Sequence, residues 1–508
     1  MNNKSNTPPH IAILGAGISG LAAAHECIKK GYRVTVYDKM PSTGGKCIGT
    51  VHHGKVHELT HRQLFAKNVH LLSFLQEIPT ENGTCFDFVY PQQKVQFHWG
   101  QSHKTMQFKR GYFSQIDKLI DDMKSAYAMH YAGVPLSDIY WFKTRLQNLP
   151  DNTELLKTPL ERYFEFKQRP KLAAFLRPVL LGWIGATDNS PALSVLDLLN
   201  NKEGPFHSDA PNAYSLGYRR PISESVINPL TEHLRQQSVQ FRFDCEIERL
   251  ITDTEQNKVT HALSSQDEVI EADYFILALP IHVTQSLLSA TSVQFSYRYV
   301  LSHGFQFHFT TLPDMLRDKT VGIVIDSPWG LSYHLTQPEP NGLYCLSVTA
   351  TDLNIAVGPA FNKPLLACTP QQIEQEIVTQ IFGNSALLSA SGYQGFHVGP
   401  GLYWKEKHAD EATSSRFSGP TVISENGVAH YWVADHALTH PDANCQIPIE
   451  IEGYQNVFLA GEYLTDPRQT WRVPVTMERC VETAKLSVES LEKRIAVHRK
   501  EEPYHDDA

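Results

Sequence analysis

A chain of 508 residues is longer than one hydrophobic core organises and predicts two or three lobes. Its 42% apolar and 19% charged residues are ordinary for a globular protein, and a net charge of −9 offers no basic field to nucleic acid. Eight cysteines, at 27, 47, 85, 245, 345, 368, 445 and 480, form no Cys-x-x-Cys pair, which argues against a disulfide framework or zinc knuckle and for a reducing, cytoplasmic setting. Residues 1–9 are short and polar, unlike a secretory leader, and no apolar run approaches the ~20 residues that span a bilayer. A soluble protein is expected, with peripheral membrane contact still compatible.

In chain order, the apolar run 11–14 enters Gly15-Ala-Gly17-Ile18-Ser19-Gly20, an Ala-rich helical stretch follows, and a second apolar run, 33–37, ends on Asp38. Strand, glycine turn, helix, strand and acid is the order of a dinucleotide-binding βαβ unit. Gly15 permits the turn, Gly17 lets backbone approach a pyrophosphate, and Gly20 lets the helix pack on the strand. The helix start offers amides and a positive dipole end to phosphates. Asp38, 18 positions after Gly20, is placed to accept hydrogen bonds from a ribose diol, with Lys39 beside it. Gly44-Gly45-Lys46 comes next and resembles the Gly-Gly-basic signature of the FAD-dependent amine oxidase and phytoene desaturase superfamily. There the double glycine runs against the flavin side of the cofactor. Residues 10–79 therefore read as the first part of an FAD-binding domain.

Residues 80–235 read mostly as helices, at 113–131, 136–149, 159–167, 171–183, 192–200 and 223–236: a helical substrate cap. Residues 239–251 alternate as a strand does, and 270–281 form an apolar strand stopped at Pro280; by the resemblance these return to the cofactor domain, making 236–291 its expected second part. By the resemblance, Ile247 meets adenine through its backbone and Ala278 lies at a turn near the cofactor. Residues 292–420 read as strands plus a helix at 370–382, the floor of the substrate lobe. A third return, 421–496, carries Leu459-Ala460-Gly461-Glu462 and then Val473-Pro474-Val475-Thr476-Met477-Glu478 before a helix. This resembles the family's Leu-Ala-Gly-acid and Pro-x-x-Met-Glu motifs, which implies that Glu462 binds the ribityl or phosphate part of FAD. It also implies that Val475, Thr476 and Met477 meet the pyrimidine edge, where a helix start stabilises the charge of reduced flavin. The tail 497–508 is charged and expected to be flexible. The implied fold is α/β and amine-oxidase-like: a discontinuous Rossmann-like FAD-binding domain with an α+β substrate lobe of mixed sheet and helical cap.

Other strings resemble bacterial phytoene desaturase-like and hydroxysqualene dehydroxylase-like oxidoreductases: Glu58-Leu59-Thr60-His61-Arg62, Arg220-Pro221-Ile222-Ser223-Glu224 and Ser327-Pro328-Trp329. The chain departs from them in carrying Leu59-Thr60 where relatives have His-Gly, which narrows the passage beside the flavin, and Arg479 where they have Gly. Arg479 is expected to form a surface salt bridge, or else to serve an anionic substrate. Arg62 is implied at the flavin edge, where a fixed cation stabilises reduced flavin or holds a substrate carboxylate, or else sits in a structural ion pair.

Trp329, Trp404 and Trp471 are candidate substrate aromatics, weighed against a place in the lobe core. His52, His53, His57 and His61 fall along one strand, a spacing that spreads ligands, so no metal site is expected. No cysteine or histidine matches a flavin attachment position, so FAD is expected to bind non-covalently. The resemblance implies an FAD-dependent oxidoreductase dehydrogenating or desaturating a largely apolar small molecule, isoprenoid or secondary metabolite, by hydride transfer to flavin N5. Amine or amino-acid oxidation, redox-neutral flavin-dependent isomerisation and an idle FAD-binding protein are the alternatives.

Overall fold

The computed structural model describes residues 7–501 apart from 53–54, 66–67, 93, 110–114, 149, 201–214, 254, 289–293, 318, 337–341, 407–419, 426–427, 435–437, 444, 471 and 474. The strand His10–Leu14 lies at the centre of a parallel sheet, with Arg33–Tyr37 on one side and Tyr274–Leu277 on the other. Gln240–Arg242 and Val457–Leu459 complete its five strands. Ile11, Ile13, Phe275 and Val457 are fully buried, as strands covered on both faces must be. The Ala-rich helix Ile18–Lys29 packs against the C-terminal helix Met477–Glu501. Two long excursions leave this sheet and return, giving the discontinuous Rossmann-like domain expected from sequence.

The excursions build a second sheet of seven strands, in the order Lys104–Lys109, Lys94–Trp99, Val321–Val324, Ser332–Leu335, Tyr344–Ala350, His303–Phe309 and Tyr393–Val398. All its pairings are antiparallel except Lys94–Trp99 with Val321–Val324. Period-two alternation sorts its faces. Phe305, Phe307, Phe309, Leu346 and Val348 join a core with the helix Pro370–Phe382. Gln306, Ser332, His334, Ser347 and Thr349, from the same strands, are buried polar residues of the opposite face. The cap helices, among them Pro170–Ile184 and Ala192–Asn200, share a third core with Val95, Phe97 and Ile323.

Four expected boundaries move. Residues 80–235 are not a purely helical cap, because Lys94–Trp99 and Lys104–Lys109 are sheet strands; their partner Val321–Val324 lies far along the chain, so no local pattern announces the pairing. The π-turn Ser223–Ile227 and helix Asn228–Gln236 belong with the Rossmann core, where Val226, Leu230 and Leu234 pack. Val428–Ala434 pairs with both Leu402–Glu406 and Pro420–Glu425, and Leu438–Pro441 pairs with Tyr297–Val300, so the third return starts later than 421. The last helix runs to Glu501, past the expected tail boundary at 497.

Candidate cofactor and substrate site

The turn after the first strand is built from three glycines with three different constraints. Gly15 has φ +109°, and a Cβ there would overlap the Ala278 carbonyl. A Cβ on Gly20 would overlap the Gly15 carbonyl oxygen. Gly17 is unlike either: the nearest atom to a Cβ there is Gly45 Cα, 4.0 Å away, and the residue lines open space. Gly17 bridges to Gly44, and the Gly44 N–H donates to the Ala16 carbonyl at 2.9 Å. The two glycine segments thus run side by side. The helix begins at Ile18 with no side-chain cap, so its first amides remain available to a ligand. Asp38 is fixed at the end of its strand by accepting from Ala16 N at 2.6 Å and Met40 N at 2.8 Å.

These segments form one wall of a cavity of about 340 Å³ between the Rossmann sheet and the polar face of the seven-stranded sheet. From the far end of the chain, Gly461 and Glu462 join that wall, and Glu462 forms an ion pair with Lys46. Val475, Thr476 and Met477 follow. Val475 holds φ +53°, a left-handed conformation unfavourable for a β-branched residue and one that concentrates at functional turns. Cys47 Sγ touches Met477 Sδ at 3.7 Å, tying the double-glycine turn to the start of the last helix. Glu478 turns aside: its carboxylate accepts from His70 N at 3.0 Å and Leu71 N at 2.7 Å, capping the helix Val69–Glu77.

Arg62 stands where the cavity meets a side chamber of about 50 Å³. Its guanidinium donates to the Lys46 carbonyl and, at 2.6 Å, to Thr60 Oγ1, while its buried Nε has no partner. His61 also lines both spaces; burial, then the nearby His334 and Arg62, push it down to about 3. Burial with the charges of Lys46 and Lys39 pushes His282 down to about 4. Both imidazoles are neutral at pH 7. In the chamber, burial pushes the Glu58 carboxyl up to about 7 although it accepts from Ile222 N at 2.5 Å. The opposite end of the cavity is apolar, with Leu181 and Ile184 of a cap helix facing Val321 and Ile323.

Every residue expected at the cofactor lines this cavity except Gly20, whose closeness to Gly15 makes it a packing glycine. Ile18, Ser19, Lys39, Ile247 and Ala278 are among those on its wall. Trp329 is not on the cavity wall. Trp329 is fully buried in the core of the seven-stranded sheet, where its Nε1 donates to the Ala356 carbonyl at 3.1 Å; packing of its large apolar ring, not substrate contact, is its place. Trp404 belongs to the strand Leu402–Glu406, opposite Trp432, and Trp471 lies outside the described residues.

Arg479 is not at the surface as expected: it is 3% exposed. His57 packs against His397 and His61 against His334, and His53 lies outside the described residues. The described acid–histidine cluster tight enough for a metal is His25, Glu26 and Glu77, already bridged by Lys29. Sequence reasoning missed Ser332, Thr349, Thr351 and His282 on the cavity wall. The polar side of the alternation in 344–350 is the available signal for one of them, Thr349.

The cradle fits a dinucleotide extended by a flavin. Gly17 leaves open space beside Gly45, an uncapped helix start faces that space, and Asp38, Glu462, Lys39 and Lys46 are among the charged residues that line it. Comparison with known proteins supports the dinucleotide-binding fold. Residues 13–78 match the model of an NAD(P)-binding Rossmann-like domain. A phytoene desaturase of Phycomyces blakesleeanus is 24% identical over 292 residues, covering 52% of this chain and 47% of that protein. The chain thus spans about half the length of the curated relative it matches.

Among solved structures, putrescine oxidase bound to putrescine superposes with a TM-score of 0.60 at 11% identity, covering 96% of this chain and 99% of that one. Cyclohexylamine oxidase from Brevibacterium oxydans gives 0.57 at 14% identity, covering 97% and 100%. Fold and site define a two-lobed protein with a Rossmann-like dinucleotide-binding domain. The chain shares the fold of these two amine oxidases, and a phytoene desaturase is similar to it in sequence. Among the described residues, no helix is long and apolar enough to cross a membrane.

Proposed function

We propose that the protein is an FAD-dependent oxidoreductase that dehydrogenates or desaturates a largely apolar small molecule, with FAD held non-covalently. The observation that carries this reading is the meeting of Gly44-Gly45-Lys46, Glu462 and Met477 on the same wall as the N-terminal glycine turn. The additional segments, Gly44-Gly45-Lys46, Gly461-Glu462 and Val475 to Met477, extend the cradle beyond the N-terminal turn. Gly17, Ser19 and the helix start would take the pyrophosphate, Asp38 the adenosine ribose and Glu462 the ribityl chain. FAD supplies the hydride acceptor, and the protein supplies orientation, a dry pocket and fixed charge.

The substrate reading rests on the apolar end formed by Leu181, Ile184, Val321 and Ile323. Among the described residues, the acids on the cavity wall are Asp38, Glu246, Glu462 and Glu478, all on Rossmann-domain segments, so the substrate end offers no carboxylate to an ammonium group. Amine oxidation is the second reading, favoured by the two amine oxidases that share the fold. Anaerobic bleaching of the flavin absorbance decides between them. Bleaching by polyenes or isoprenoids supports desaturation, bleaching by amines alone overturns it, and conversion of substrate without net oxidation indicates isomerisation.

A further inference from the structure

Away from the cofactor cavity, a space of about 10 Å³ lies where the cap meets the segment leading into the last helix. Its wall includes Ser190, Ser194, Thr465, Gln469, Arg472 and Arg479. Arg479 and Gln469 are each 3% exposed. Arg479 Nε and both side-chain amide atoms of Gln469 make no hydrogen bond. Arg472 brings a second guanidinium, anchored by donating to the Asp466 carbonyl at 2.7 Å and the Pro467 carbonyl at 2.9 Å. Burial and the Arg472 charge together push Arg479 down to about 10. Glu482 and Glu462 act on Arg479 from nearby, but among the described residues no carboxylate is hydrogen-bonded to it, and a buried guanidinium beside another is an arrangement that a counter-charge would stabilise strongly.

We propose that this space binds one monatomic anion, chloride in a physiological medium, between the Arg479 and Arg472 guanidiniums and the Gln469 amide. The chemistry follows from the lining. Two cations and an amide N–H converge, and the volume is about that of one water-sized particle, too small for phosphate or sulfate. The bound ion joins Ser190 and Ser194 of the cap to the first turn of the last helix, two residues after Met477. It therefore ties the substrate lobe to the cofactor domain, whatever substrate the enzyme takes.

The test is the thermal midpoint of the full chain in sodium chloride against sodium gluconate at equal ionic strength, together with anomalous diffraction from bromide-soaked crystals. The midpoint is expected to rise with the logarithm of halide concentration, as binding to the native state alone requires. A bromide peak is expected between Arg479 and Gln469. Arg479→Met and Gln469→Leu each remove the halide dependence; if the first fails to fold, the second carries the comparison. Equal midpoints in chloride and gluconate, with no bromide peak, overturn the proposal and leave the space to water. Neither readout depends on flavin content or turnover, so failure here is separable from failure of the proposed activity.

Discussion

Lys46 and Glu462, which come from opposite ends of the chain, form an ion pair in the wall of the main cavity. Their side chains are 19% and 15% exposed, so each would leave the other a largely buried, unpaired charge if removed. Glu462→Gln is expected to weaken flavin binding about 10–100-fold, from the ~1.5–3 kcal/mol typical of charge-assisted hydrogen bonds. Lys46→Met with Glu462→Gln should regain thermal stability over either single variant without regaining flavin affinity. Fluorescence titration of the apoprotein with FAD measures both. Unchanged affinity in Glu462→Gln would mean that the pair only closes the domain.

The glycines of the first turn separate folding from binding. Gly17→Ala adds a methyl into open space, so the apoprotein should keep its stability within about 0.5 kcal/mol while losing most of its flavin affinity. Gly20→Ala drives the methyl into the Gly15 carbonyl and should cost roughly 1–3 kcal/mol or more, as overpacking does. Soluble yield and urea midpoints of the two apoproteins test the contrast. Equal destabilisation would contradict the division of roles.

That division was readable from sequence because the turn is local: its geometry is fixed by contiguous residues and their spacing. The far contributors, Glu462 and Met477, were reachable only through resemblance, since nothing in their own neighbourhood specifies a flavin. Pairing between distant strands left no such trace. Lys94–Trp99 joins Val321–Val324 across the chain, and was therefore absorbed into the helical cap. Arg479 was misjudged for a related reason. Composition makes an arginine one position after Met-Glu look solvated, and only the packing of cap against helix buries it.

The Glu478 carboxyl makes stability depend on pH. Burial pushes it up to about 7, against an ordinary 4.5, although the Leu71 and His70 amides oppose the rise. The native state holds this proton more tightly than the unfolded chain, so the stability it contributes is full below about pH 4.5 and is lost as pH rises through about 7. The shift corresponds to at most ~3 kcal/mol. Glu478→Gln cannot ionise and accepts from only one amide, so it should be less stable than the parent at pH 5, with the gap narrowing by pH 8. Parallel urea-midpoint curves across that range would show that the native carboxyl is already ionised at pH 5.

Thr60 replaces a glycine expected from relatives, and its Oγ1 accepts from Arg62 at 2.6 Å. This pairs two departures in one place, because the side chain that narrows the cavity also aims the guanidinium bordering it. Thr60→Val keeps the volume and removes the acceptor, while Arg62→Lys keeps the charge and removes the planar fork that reaches Thr60 and the Lys46 carbonyl together. If Arg62 stabilises negative charge at the flavin edge, both variants should retain flavin and slow its anaerobic reduction. The expected factors are about tenfold or more for Arg62→Lys and a smaller factor for Thr60→Val, in proportion to the ~1.5–3 kcal/mol of a charged hydrogen bond. A purely structural Arg62 predicts the reverse pattern: lower thermal midpoints in both variants, with reduction rates unchanged. Stopped-flow reduction alongside thermal melting distinguishes the two, since positioning moves the first measurement and packing moves the second.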